Sequence, residues 1–403
     1  MPLHIDKRVY LDYNATAPLM PRAREALIAA LETSGNPSSI HAEGRAARAL
    51  VEEARRAVAA LVGVAPRGVH FVSGGTEAVN AALTPDLAGL GAAAPMRRLI
   101  LSAGEHVAAF QGHRFATDAV ASAPIDGDGR LDLAALEALL DAGPSPALLA
   151  LQGANNETGA IQPVAEAAAR VHARGGLVFC DAAQLAGRVK MSAAELGADW
   201  ISISAHKFGG PKGVGALVAA REGLHVASPL IRGGGQERGA RGGTENVAAI
   251  SGFGAAARAV LEGLEAEGAR LAALRDRLER AVLEAAPNAT IFSARAPRLP
   301  NTVAFAVPGL AASTLLMRLD LEGVAASSGS ACSSGKVAAS HVLAAMRVEP
   351  DLARGAIRLS LGWASSQADV DRFAAVFAKI IGVLRRAAPS TDARGLWSGL
   401  EGG

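Results

Sequence analysis

The first half of the chain repeats one pattern. A short apolar run ends in polar or glycine residues, and a longer stretch with apolar positions at helical spacing follows. VHFVS (69–73), RLILS (98–102), ALLALQ (147–152), LVFC (177–180) and WISIS (200–204) read as strands. GRAARALVEEARRAVAALVG (44–63), LDLAALEALLDAG (131–143) and PVAEAAARVHARGG (163–176) read as helices between them. Such alternation predicts an α/β fold, a mostly parallel sheet with helices on both faces. GALVAAR (215–221) is close enough to pair as a further strand.

From about Gly252 the pattern changes. A long helical run (255–287) carries acid–base spacings that suit a solvated face. Strand-like NTVAFAV (301–307), a helix near STLLMRLDLEG (313–323), the soft segment SSGSACSSGK (327–336) and strand-like AIRLSLG (356–362) follow. In the last helical run Ser366 stands three residues before Asp369, a capping-box-like start with Asp in place of Glu or Gln. The expected organisation is an N-terminal segment 1–15 packing near the small domain and a large domain 16–252. A linker helix with a smaller C-terminal α/β domain (253–388) and a frayed tail (389–403) complete it.

Composition narrows the classes. The 403 residues, half of them hydrophobic, suffice for two domains and a large core. A net charge of +2 without a Lys/Arg block disfavours nucleic acid as a partner. The start, MPLHIDKRVYLDYNATAP, lacks the apolar centre of a signal peptide, and no run approaches the roughly 18 apolar residues of a membrane span. A cytoplasmic protein that does not meet membranes is the expectation. The two cysteines, Cys180 and Cys332, make no CxxC pair and no disulfide framework. With no HExxH helix and no Cys/His cluster of zinc spacing, no metal is expected. Cys180 lies in an apolar run and reads as core, whereas Cys332 lies among serines and glycines.

Candidate chemistry sits at the strand ends, where ligands of an open parallel sheet collect. Gly74-Gly75-Thr76-Glu77 follows the first run, Ala103-Gly104-Glu105-His106 the second, and Gly153-Ala154-Asn155-Asn156-Glu157 the third. Asp181-Ala182-Ala183-Gln184 and Ala205-His206-Lys207 follow the last two. Taken singly, each has an ordinary explanation: a helix cap at Gly74–Thr76, turn residues at Asn155 and Asn156, a loop histidine at His106, a lysine head in water at Lys207. Five together predict one polar site. A lysine desolvated after a buried strand has a lowered amine pKa and can form a Schiff base. Glycines before a helix let backbone N–H groups approach an anion, and the absence of a following GK[ST] disfavours a nucleotide P-loop. A Schiff-base lysine, a carboxylate for a pyridinium nitrogen, a phosphate cradle and a stacking histidine describe a pyridoxal phosphate site.

At this level of detail the chain resembles the cysteine desulfurases of the NifS/IscS type, class-V members of the fold-type I pyridoxal phosphate enzymes. The resemblance is carried by YLDYNATAP (10–18), GNPSSIH (35–41), SGGTEAVN (73–80), EH (105–106), NNETGAIQP (155–163) and DAAQ (181–184). It continues through SAHKFGGPKGVGAL (204–217), RGGTEN (241–246), SSGSACSSG (327–335) and AIRLSLG (356–362), in order along nearly the whole chain. It implies that Lys207 carries the cofactor as a Schiff base and that His106 stacks on the ring and shuttles protons. Asp181 then pairs the pyridinium nitrogen, Gln184 bonds the phenolic oxygen, and Asn156 lies near that oxygen and the substrate. Gly75, Thr76, Ser204 and His206 hold the phosphate, with Thr244 reaching in from a second subunit of a homodimer. Arg358 binds the carboxylate of L-cysteine, and Cys332 takes the sulfur as a persulfide, releasing alanine. An iron–sulfur scaffold protein or another sulfur acceptor is the implied partner, with transient contact between Cys332 and a cluster. The pathway stays open among nitrogenase clusters, general iron–sulfur assembly and tRNA thiolation. Rival readings are a selenocysteine lyase, a small-amino-acid aminotransferase, which has no need of Cys332, and a non-catalytic sulfur carrier.

Overall fold

The computed structural model describes residues 8–88, 95–329 and 340–387. Cys332 and the tail expected at 389–403 lie outside them. Seven strands form the main sheet in the order Val69–Val72, Gly215–Ala219, Trp200–Ser204, Leu177–Asp181, Ala147–Ala150, Arg98–Ser102, Val120–Ala123. Only Gly215–Ala219 runs antiparallel to its neighbours. The other adjacent pairs are parallel. The edge strand Val120–Ala123 carries no apolar signal in VASA because only Ala123 is buried there, so the hydrophobic pattern passes over it.

Alternate side chains of each strand enter two different cores, as the pleat requires. Val178, Cys180, Ile201 and Ile203 pack with residues of the helices Ala42–Val62, Leu133–Ala142 and Val164–His172. Phe179, Trp200, Leu148 and Ala150 face the opposite side, with residues of Gly75–Ala82 and Val107–Gly112. Both faces being covered explains the unbroken apolar strands.

The helix Val247–Ala285 has 39 residues and is therefore about 58 Å long. Asn246 caps it, accepting from Ala249 N at 3.1 Å. Its first half packs against Pro21–Leu31 and Ala42–Val62. By length and composition this helix could cross a membrane, but its apolar start, Ala249 to Ala257, is buried in the core. Its second half supplies Leu271, Leu274, Leu278 and Val282 to a separate core with Phe305, Phe373 and Phe377. The expected boundary at 252/253 thus falls inside one unbroken helix that serves both lobes.

The smaller lobe holds an antiparallel sheet ordered Thr290–Ile291, Thr302–Ala306, Ile357–Ser360, Ser327–Ser328. Helices Ala312–Leu321 and Gln367–Ala387 pack with it. The last helix starts with a reciprocal cap. Ser366 N donates to Asp369 Oδ2 at 2.7 Å, and Asp369 N to Ser366 Oγ at 3.3 Å. The N-terminal strand Val9–Tyr10 pairs in parallel with Val324–Ala325, and Val9 and Leu11 join the small-lobe core. Asp12 bridges to Ser360. Beyond it the chain crosses to the large lobe, laying Asn14, Ala15 and Thr16 between the two.

Candidate active site

That crossing strap forms one wall of the site. Asn14 is buried, and nearly every polar atom it has is engaged. Its N–H donates to Ser360 Oγ at 2.9 Å, and its Nδ2 to Thr302 Oγ1 at 2.9 Å and to Asn156 O at 3.1 Å. Its Oδ1 accepts from Asn301 Nδ2 at 3.1 Å. Its carbonyl accepts from Lys207 Nζ at 2.8 Å and from Gln184 Nε2 at 3.0 Å. Lys207 Nζ also donates to Ala15 O at 3.0 Å, and His206 Nδ1 shares a hydrogen bond of 3.1 Å with Thr16 Oγ1.

The strand ends converge here. A cavity of about 540 Å³ is lined by Gly75, Thr76, His106, Asn156, Asp181, Gln184, Ser204, His206, Lys207 and Arg358, with Asn14 and Thr16 of the strap. Asp181, the last residue of Leu177–Asp181, is oriented by Ser202 Oγ at 2.7 Å and Ala183 N at 3.0 Å, both donating to Oδ1. His106 caps Val107–Gly112 through Nδ1, which accepts from Ala108 N at 3.2 Å. That bond leaves the ring proton on Nε2. Arg358 donates through Nη1 to Asn156 O at 3.1 Å and through Nη2 to Asp12 Oδ1 at 2.8 Å.

Burial sets the charge states. His206 is pushed down to about 4, first by burial and then by Lys207, Lys212 and Arg188. It is neutral at physiological pH and offers hydrogen bonds, not charge. His106 is lowered by burial and by Lys207 and His341, against the opposing pull of Asp181. Glu105, wholly buried behind His106, is pushed up to about 8 by burial and by Asp181, against the hydrogen bond from Gln152 N. Glu157 rises to about 7 by burial, partly offset by Ser340 and Arg358. The thiol of Cys180, with no exposure at all, is pushed far above its ordinary value by burial, so it is inert packing.

Asn155 and Asn156 divide the labour that the sequence left open. Asn155 is a buried turn residue whose Oδ1 accepts from Glu157 N and Thr158 N, while Asn156 lines the cavity. Thr244 is exposed and is not among the residues lining this cavity. Its loop is tied to the start of Gly75–Ala82 by Arg241 Nε, 3.3 Å from Glu77 Oε1. The same loop contains Glu237 and Arg238 at φ of 47° and 56°, a left-handed conformation unfavourable without glycine. Arg55 holds Glu237 there with two hydrogen bonds of 2.7 and 2.9 Å. The roles of Asn14, Thr16 and Asp12 escaped residue-by-residue reasoning. Their signal was the polar run in YLDYNATAP, which follows no strand of the main sheet. Among the described residues no group of three or more His, Cys, Asp or Glu could hold a metal.

The sequence pattern of the family described as aminotransferase class-V matches residues 9–373. The chain belongs to the class-V aminotransferases, in their cysteine desulfurase branch. It is 43% identical to a cysteine desulfurase of Cereibacter sphaeroides, over 95% of this chain and 98% of that one. It is 40% identical to an IscS-like cysteine desulfurase of Mycobacterium tuberculosis, over 94% and 98%. Among solved structures, a NifS-like protein from Rickettsia africae superposes with a TM-score of 0.83 at 32% identity, covering 93% of this chain and 99% of that one.

The raised Glu105 carboxyl gives a stability prediction. Between its ordinary 4.5 and about 8 the folded protein holds a proton that the unfolded chain has lost, so Glu105 lowers stability as pH rises through that window. Glu105→Gln keeps the neutral form. Urea unfolding at pH 5.5 and pH 8 should show the variant gaining on wild type at the higher pH; an equal offset at both would contradict a buried neutral carboxyl.

Proposed function

We propose that this protein is a pyridoxal phosphate enzyme that takes the sulfur of L-cysteine onto Cys332 as a persulfide and releases L-alanine. The observation that carries the reading is the convergence of Lys207, His106, Asp181 and Arg358 on one cavity, in a chain of the desulfurase branch. The donor set fits the cofactor. Lys207 Nζ is the amine for covalent attachment, Asp181 a fixed carboxylate for the ring nitrogen, and Gln184 a donor for the phenolic oxygen. Gly75 opens a helix beside Ser204 and His206, where backbone N–H groups and a neutral imidazole meet a phosphate without competing charge.

Pyridoxal phosphate supplies, when bound, an electron sink for the pair released at the substrate α-carbon. The chain's own residues do the rest. Arg358 presents a planar fork to the substrate carboxylate, oriented beforehand by Asp12 and the Asn156 carbonyl. His106 carries a proton on Nε2 beside the cavity. Cys332, as thiolate, attacks the substrate sulfur. The Cβ–Sγ bond breaks, an S–S bond forms, and the electron pair stays on Cβ, which is protonated. L-cysteine and the Cys332 thiol thus become L-alanine and the Cys332 persulfide, balanced without an external oxidant. The persulfide then serves an iron–sulfur scaffold protein or another sulfur acceptor, in the reducing cytoplasm where a thiolate survives.

If Cys332 is the acceptor, Cys332→Ser should keep the cofactor absorbance and still bind L-cysteine, yet release almost no sulfide, because a hydroxyl is a far weaker nucleophile toward sulfur. Mass spectrometry after brief exposure to L-cysteine should place the extra sulfur on the Cys332 peptide of wild type. Sulfur on Cys180, or wild-type turnover by Cys332→Ser, would falsify the proposal.

Arg358→Lys exchanges a fork for a point charge. The KM for L-cysteine should rise about 10- to 100-fold, the range for losing one charge-assisted hydrogen bond, with unchanged cofactor absorbance. An unaltered KM removes the carboxylate role.

The resemblance to the desulfurases assigns Thr244 to the phosphate site of a second copy, and its position outside its own chain's cavity is compatible with that role. Light scattering should find a two-chain particle as the active form; full activity in a monomer refutes the shared site.

A further inference from the structure

Glu157 is 5% exposed, follows Asn156 directly, and does not itself line the cavity. Its Oε2 accepts a hydrogen bond of 2.6 Å from Ser340 Oγ. A Cβ added at Gly329 would stand 2.8 Å from the same oxygen. Gly329 and Ser340 are the residues on either side of 330–339, the interval that contains Cys332. His341 strengthens the far side, since its Nε2 donates to Glu105 O at 2.8 Å and its ring meets Phe110 edge-on at 5.6 Å.

Glu157 is held firmly in turn. Asn155 Oδ1 accepts from Glu157 N at 2.8 Å and from Thr158 N at 2.9 Å, and Asn155 Nδ2 donates to Gly104 O at 3.2 Å. Gly159 closes the turn at φ 78°, where a Cβ would come within 2.9 Å of Thr302. The same turn carries Asn156, whose carbonyl holds Arg358. One rigid loop therefore touches the carboxylate-binding arginine on one side and both flanks of the Cys332 interval on the other.

We infer that Glu157 is a positioning residue for sulfur transfer. It holds Ser340, on one side of the 330–339 interval, by a hydrogen bond and leaves no room for a side chain at Gly329 on the other, and through these flanks it governs transfer of sulfur to Cys332. The inference rests on the sulfur-transfer reading above. The side-chain hydrogen bond of Glu157 goes to Ser340 on a flank of the interval, and Arg358 acts on Glu157 only through its charge.

The test is a single turnover of the holoenzyme with L-cysteine. Cofactor absorbance follows substrate binding, and alkylation-trapped persulfide on the Cys332 peptide follows transfer. In Glu157→Ala and Ser340→Ala the absorbance change should keep its wild-type rate and L-cysteine dependence, while persulfide formation slows about tenfold, as expected for leaving a buried hydrogen-bonding group unsatisfied. Glu157→Gln, which still accepts from Ser340, should recover most of the rate. The double alanine variant should be no slower than the slower single one, because both remove the same bond. Persulfide formation at the wild-type rate in both alanine variants overturns the inference. Equal loss of both signals also overturns it, since that marks a general collapse of the site. A wild type that binds L-cysteine but forms no persulfide sinks the sulfur-transfer reading itself.

Discussion

The site depends on one buried asparagine. Asn14 belongs to a strap that starts as a strand of the small lobe and ends in the wall of the large-lobe cavity. Its side-chain amide bonds Thr302 and Asn301 of the small lobe and the Asn156 carbonyl, and its carbonyl receives Lys207 and Gln184 of the large lobe. Polar atoms this deep cannot fall back on water, so losing one partner leaves an unsatisfied group at a cost of about 1–3 kcal/mol. The lobes are thereby held in register at the point where Arg358, from one, faces Lys207 and Asp181, from the other.

Burial does more than ion pairing to set the chemistry of the cleft. Desolvation is the largest cause of shift at Glu105, His106, Glu157 and His206. The result is a row of groups kept neutral, or near the balance point, around a few fixed charges. Neutral imidazoles can sit beside Lys207 without adding to the positive field, and a neutral Glu105 can stand behind His106 without competing with Asp181. Fixed hydrogen bonds then aim the charged groups: Ser202 and Ala183 for Asp181, Asp12 and Asn156 for Arg358.

The two cysteines show how setting decides fate. Cys180 occupies the centre of a parallel sheet between two helical layers, where its thiol is raised far out of reach of ionisation. Cys332 lies in the sequence between Gly329 and Ser340, and Ser340 Oγ donates to Glu157 beside Asn156 of the cavity. A thiol locked into a core can neither reach a substrate nor pass sulfur on, which leaves Cys180 as packing.

Hydrophobic period alone determined five of the seven strands of the main sheet, their helices and the α/β class, because a sheet covered on both faces needs uninterrupted apolar strands. The residues after those strands announced the site, since Gly75, His106, Asn156, Asp181 and Lys207 each follow an apolar run that fixes where the side chain emerges. Edge strand Val120–Ala123 was silent because only Ala123 of it is buried, whereas the opposite edge, Val69–Val72, is buried throughout and reads as an apolar run. Asp12, Asn14 and Thr16 were silent for another reason. Asn14 and Thr16 reach the cavity, and Asp12 reaches Arg358 behind it, by crossing from the small lobe, and no local pattern encodes a contact made across some 190 residues, as between Asn14 and Lys207. The pairing of Glu157 with Ser340, 183 residues apart, belongs to the same class. Chain-local physics chose the elements and the types of reactive group; only the packing of two lobes around one long helix decided which of those groups would face each other.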